Sequence, residues 1–124
     1  MSNESYMQER LVASGKDRTM EEELVRMIAG VFSAIAHPNR IKILEFLRDG
    51  EKCNCEIYPA LGLEQSNLSR HLKALTDIGL LASRREGVSI YYRVTDERVF
   101  GLLDEARKII REKIKSEVHL LEVL

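Results

Sequence analysis

Two stretches of this 124-residue chain carry residue types suited to chemistry as well as to folding. The first holds Cys53 and Cys55, one residue apart in EKCNCEIYPALG. Thiolate is the nucleophilic and metal-binding form of cysteine, and a helix N-terminus favours it. Pro59 places such a terminus nearby: proline lacks an N–H and clashes with the carbonyl four residues back, so a helix here begins near Asn54 to Glu56. Inside a regular helix, residues i and i+2 point roughly 200° apart and chelate poorly. At an extended or frayed start the two sulfurs can converge. Soft sulfur selects thiophilic ions, among them As(III), Sb(III), Cu(I), Cd(II) and Zn(II). The same pair suits reversible oxidation, or it is two small buried hydrophobes with no reactive role. A structural disulfide is not expected of two cysteines in a cytosolic chain.

The second stretch is QSNLSRHLKALTDIG. Leu68, Leu72 and Leu75 fall on one helical face at i, i+4, i+7, with Ser66, Arg70 and Lys73 opposite. Gln65 and Asn67 have the chemistry to pair bidentately with adenine and Arg70 with guanine, while Ser66 and Ser69 suit either. Gly62 and Gly79 are placed to end one helix and the next. Beyond them, Leu81 to Glu86 and Ser89 to Val94 read as a hairpin turning at Gly87 and Val88. Arg84 and Arg85 on its approach suit phosphates, which fix register without reading sequence. Taken alone, an amphipathic helix beside a hairpin is more often a packing unit with a solvated charged face.

The order of the motifs changes that balance. CNCEI, then QSNLSRHLKAL, GLL, SRREG and YYRV, resembles the ArsR/SmtB family of winged-helix repressors from about Ala34 to about Val94. The resemblance implies a mainly α winged helix-turn-helix with a small β-hairpin wing, a homodimer formed through the N- and C-terminal helices, and a palindromic double-stranded operator. It places Cys53 and Cys55 on the cysteine pair of the family's thiolate sensors, which release DNA on binding inducer, and so favours an arsenite-like ion. Tyr58 stands where arsenic sensors of the family can carry a third cysteine, so one protomer cannot supply three thiolates. The family's zinc site on the last helix is expected to be absent, because its first half would fall at Ala106 and Lys108, although His119 and Glu122 fit the second.

The remaining elements hold and control this head. Residues 1–18 are polar and read as an arm, and residues 19–124 as the DNA-binding and dimerisation domain. Thr19 and Glu22 have capping-box spacing, so a helix is expected from there, with Leu24, Ile28, Val31 and Ile35 on one face. His37, before Pro38, reads as a cap or packed polar contact more readily than as a ligand. The next helix is expected to point Ile41, Leu44 and Leu47 inward, and Arg40 reads as structural or phosphate-facing. Thr95 is a candidate N-cap for a long final helix. Its stripe of Val99, Leu102, Leu103, Ala106, Ile109, Ile110, Ile114 and Leu121 needs a partner.

Bulk properties set bounds. The net charge is −1, with 31% charged and 44% hydrophobic residues, a globular composition. No apolar run approaches the roughly 20 residues that span a bilayer, and MSNESYMQERL has no apolar export region. A cytoplasmic protein without a membrane partner is expected. Overall charge does not announce nucleic acid, but from Ser66 to Arg93 five cations (Arg70, Lys73, Arg84, Arg85, Arg93) face two anions (Asp77, Glu86). A thiol oxidoreductase using Cys-x-Cys is the competing reading from another class. It needs a base, and His37, His71 and His119 lie in separate elements with no motif linking them to the cysteines. A protein-interaction module built on the same fold and a regulator with inert cysteines are further alternatives. No enzyme activity and no organic cofactor are expected.

Overall fold

Helix punctuation in the sequence is followed closely where Gly and Pro set it. The computed structural model describes residues 15–124, with side chains from Thr19 onward. Among the described residues the elements run in this order: α1 (Gly15–Ile35), α2 (Pro38–Phe46), β1 (Lys52–Cys53), α3 (Asn54–Leu61), α4 (Gln65–Asp77), the strands β2 (Leu81–Glu86) and β3 (Ser89–Val94), and then α5 (Arg98–Val123). The chain divides into two compact units after Ala36.

In the first unit, α1 begins four residues before Thr19, which therefore lies inside the helix rather than at its start. The expected arm falls largely on residues 1–14, outside the described residues. Leu24 and Ile28 are about half exposed, at 50% and 48%.

In the second unit, Pro38 takes the first position of α2, where its missing N–H costs nothing. His37 is the N-cap, its Nδ1 accepting from the Asn39 N–H at 3.1 Å, as expected of a cap. Leu44 and Leu47 point inward; Ile41 does not, and Ile43 takes its place in the core. With nine residues, α2 buries Ile43 and Leu44 side by side, so an i, i+3, i+6 reading put the stripe slightly off.

Helix α3 ends at Gly62, whose φ of 66° is the left-handed C-terminal conformation that favours glycine. A three-residue turn leads into α4, whose Leu68, Leu72 and Leu75 are buried as the spacing predicts. The hairpin forms with the predicted bounds and the register Glu86↔Ser89 to Leu81↔Val94. Gly87 sits at the first central position with φ 63°, matching the twist demanded of a two-residue loop.

Strand β1, only two residues long, was not legible as a strand. It pairs antiparallel with β3 (Lys52↔Tyr92, Cys53↔Tyr91) to give a sheet of order β1-β3-β2. Thr95 does not cap α5: its hydroxyl donates to the Gly79 carbonyl at 2.6 Å, and the Asp96 carboxylate accepts from the Arg98 N–H instead. Of the long apolar stripe on α5, Val99 and Leu103 join the core, together with Phe100 from outside the expected stripe, while Ile109, Ile110, Ile114 and Leu121 are more than half exposed.

Candidate nucleic-acid interface and thiol site

Helices α3 and α4 with their short turn form a helix-turn-helix, and α4 presents an inner face, an outer face and two flanks. The leucines look inward; Ser66, Arg70 and Lys73 look out into solvent. Asn67 and His71 form one flank, and Gln65 and Ser69 the other, the latter pair lining a cleft of about 220 Å³ with Asn54, Tyr58 and Tyr92. In the outer row, Arg70 Nη2 donates to Asn67 Oδ1 at 2.6 Å and Lys73 Nζ pairs with Asp77 at 2.9 Å. Such solvent-exposed neighbours bind weakly and exchange readily for contacts to another molecule.

The hairpin separates two arginines that the sequence treats alike. Arg84 donates through Nε and Nη2 to the Glu51 carboxylate, at 2.7 Å for the shorter contact to Oε1, and through Nη1 to Glu86 at 2.7 Å. Its guanidinium also lies over the Tyr91 ring, 4.4 Å from the centroid. Its hydrogen bonds to Glu51 and then to Glu86 raise the Arg84 pKa above the ordinary value, and Arg84 in turn holds the Glu51 carboxyl below the usual carboxylate range. Arg84 is thus a brace between the approach to β1 and the wing. Arg85, on the opposite face of the strand, is exposed and makes no ion pair among the described residues.

Cys53 and Cys55 converge because they stand at the transition from strand to helix. Cys53 is the N-cap of α3, with extended backbone (φ −73°, ψ 145°), and Cys55 lies in the first turn. The angular separation of a regular helix therefore does not apply, and the Cα atoms are 5.1 Å apart, within the range that disulfides span. The two sulfurs are bonded to each other. This corrects the expectation that no disulfide forms, which rested on compartment alone.

Cys53 is buried and Cys55 exposed. The Cys53 sulfur accepts from the Cys55 N–H at 3.1 Å, and the Glu56 carboxylate accepts from the Cys53 N–H at 2.9 Å, a reciprocal capping box built on sulfur. Asn54 Oδ1 lies 3.4 Å from Cys53 Sγ and 3.5 Å from the Ile90 N–H of the wing. The sulfur contact is a hydrogen bond only while Cys53 carries a proton. Glu56 and Asn54 escaped sequence reading; the Cys-x-x-Glu spacing was the available signal for the first. No group of three or more His, Cys, Asp or Glu is placed to hold a metal ion among the described residues. Once the sulfur–sulfur bond is reduced, what this chain offers a thiophilic ion is a pair of thiols at the positive end of a helix, a donor set that fits such an ion but fills only part of its coordination.

The family model described as "Bacterial regulatory protein, arsR family" matches residues 37–83, from the cap of α2 to the middle of β2. The HTH-type transcriptional regulator Rv0081 of Mycobacterium tuberculosis is 36% identical over 104 residues, covering 83% of this chain and 91% of that one. The chain belongs to the ArsR family. Its members are DNA-binding transcriptional regulators, not enzymes. The arsenical resistance operon repressor of Bacillus subtilis is 37% identical over 86 residues, covering 68% of this chain and 82% of its own. The crystal structure of Rv0081 superposes with a TM-score of 0.69 at 35% identity, over 77% of this chain and 96% of that one. A homodimeric winged helix-turn-helix DNA-binding domain from Mycobacterium bovis, solved by NMR, gives 0.68 at 32% identity over 77% of this chain and 89% of the other.

Proposed function

We propose that this ArsR-family regulator is a homodimeric repressor that reads a palindromic operator with α4 and releases it when Cys53 and Cys55 take up a thiophilic ion, As(III) or Sb(III) before Cu(I), Cd(II) or Zn(II). The observation that carries the sensing half is the convergence of the two sulfurs at the start of α3. That start is joined to both DNA-facing parts. Cys53 pairs with Tyr91 of the wing strand, and Asn54 shares one cleft with Gln65 and Ser69 of the reading helix. An ion that replaces the sulfur cap must re-aim the first turn of α3, and the displacement reaches α4 and the wing together. Remaining coordination positions on the ion fall to water, an external thiol or the other subunit.

Gln65, Ser66, Asn67, Ser69 and Arg70 serve base edges, and Lys73 and Arg85 the backbone. Arg84 belongs to the interface indirectly, by holding the wing in shape. The exposed stripe Ile109, Ile110, Ile114 and Leu121 on α5 supports dimerisation, as do Leu24 and Ile28 on α1, since soluble monomers seldom leave such surface uncovered.

The bonded sulfurs favour a second reading, in which reversible oxidation of the same pair is the signal. Both are tested by titrating the protein, reduced with a phosphine, with As(III) while following near-ultraviolet sulfur-to-arsenic absorption and proton release. One ion per protomer, lost in both Cys53→Ser and Cys55→Ser, is expected. Absence of saturable binding for every ion named, with a DNA response to oxidant alone, replaces the ion by oxidation.

A further inference from the structure

On the flank of α4 away from the wing, His37, Asn39 and Arg40 of the α2 start face Asn67, Arg70 and His71 across a cleft of about 400 Å³. Its described lining contains two guanidinium groups, two imidazoles and two amides, with no carboxylate and no apolar side chain. That is a donor-rich surface unsuited to a cation or to an apolar ligand.

The hydrogen bonds fix what the imidazoles offer. His37 spends Nδ1 as acceptor for the Asn39 N–H, and His71 spends Nδ1 as acceptor for Arg40 Nε at 3.1 Å. Both rings are therefore neutral and protonated on Nε2, leaving each a donor. The rings lie 4.3 Å apart, tilted by 48°, so the arrangement is packed rather than loose. Burial, then the charges of Arg40 and Arg70, hold the His71 pKa below the ordinary imidazole value, in keeping with that neutral state. The His71 bond also orients the Arg40 guanidinium toward the α4 flank.

The position of the cleft selects its ligand. A helix lying in a major groove has a sugar-phosphate backbone on either side, and contacts to those phosphates set its register. Along α4 the outward row of Ser66, Arg70 and Lys73 is bordered by Gln65 and Ser69 on the wing side and by Asn67 and His71 on this one. We infer that the His37–Arg40–His71 wall of this cleft binds a backbone phosphate of operator DNA on the strand opposite the wing, with Arg40 as its principal cation and Arg70 left to the bases. The inference rests on the reading that α4 enters the groove, and it makes Arg40 a positioning contact that reads no base.

The test measures affinity for a random duplex and for an operator duplex obtained by selection, between 50 and 200 mM salt. Each phosphate contact contributes a slope of about −0.9 to log affinity against log salt. A single lost contact therefore flattens the response over this fourfold salt interval by about 3.5-fold, and one lost from each protomer of a dimer by about 12-fold. Arg40→Gln is expected to weaken both duplexes equally and to show this flattening, with Arg40→Lys restoring the slope. Independently of any variant, replacing one phosphate per half-site by neutral methylphosphonate should weaken the wild type at a single position on the strand flanking α2.

A full slope in Arg40→Gln overturns the inference, as does a loss confined to the operator or the absence of any such methylphosphonate position. Saturable NMR shifts of His71 with inorganic phosphate, alongside an unchanged slope, would assign the cleft to a free anion and overturn it too. A wild type with no salt-dependent affinity for either duplex sinks the DNA-binding reading itself, which sets that failure apart from this one.

Discussion

Replacing Cys53 by serine and by alanine separates its structural work from its chemistry. The sulfur is the N-cap acceptor of α3 and lies 2% exposed, so its loss leaves the Cys55 N–H without its partner at the edge of the core. Deleting an N-cap acceptor costs about 1 kcal/mol, within roughly 0.5–2 kcal/mol. For a chain of this length that lowers Tm by about 3–6 °C. Serine is among the preferred N-caps, and its hydroxyl can still donate to Asn54 Oδ1, so Cys53→Ser should melt within about 2 °C of the reduced wild type. Glu56→Ala, which removes the other half of the capping box, should fall between the two. The assay is thermal unfolding by circular dichroism in a phosphine reductant, which removes the sulfur–sulfur bond from the comparison. Equal destabilisation by serine and alanine, or none by alanine, refutes the capping role.

Four further outcomes follow from the geometry. Arg70→Ala should weaken operator binding by about 1–3 kcal/mol more than random-duplex binding, whereas Arg85→Ala should weaken both alike and lower the salt slope; anisotropy titrations decide. Arg84→Ala should speed amide exchange across β2 and β3 while leaving the salt slope near wild type, because its partners are Glu51, Glu86 and Tyr91; an unchanged exchange pattern contradicts the brace. Ile110→Glu places a charge on the exposed stripe of α5, and sedimentation should then find monomer or aggregate with operator affinity lost. His71 has a folded pKa below its unfolded value, so the unfolded chain takes up the proton first and stability falls as pH drops below about 6.5; His71→Gln should reduce that dependence in denaturant melts between pH 7 and 5.

Much of this architecture is legible from local signals. The α4 stripe and the hairpin are written in strong periodicity bounded by glycines, and Pro38 and Pro59 constrain the neighbouring helices. The parts that were not legible depend on residues far apart in the chain. Strand β1 is two residues long, too short for any period, and exists only because β3 is there to pair with it. Arg84 and Arg85 point to opposite faces of β2, and only Arg84 meets Glu51, 33 positions away in the chain. The His37–His71 contact joins α2 to α4, and no spacing rule connects positions 34 residues apart. The helix-start argument allowed the cysteines to converge, yet the bonded pair and the sulfur cap needed the backbone of Cys53 in its extended form.

The central claim is that the state of Cys53 and Cys55 sets DNA affinity. The direct measurement is operator affinity of the reduced wild type, Cys53→Ser and Cys55→Ser, with and without saturating As(III), at fixed salt. Coupling of roughly 1–3 kcal/mol between the sites predicts a 5- to 150-fold loss for the wild type on adding the ion, with no change in either serine variant. An unchanged wild-type affinity, with the ion shown to be bound, contradicts the claim.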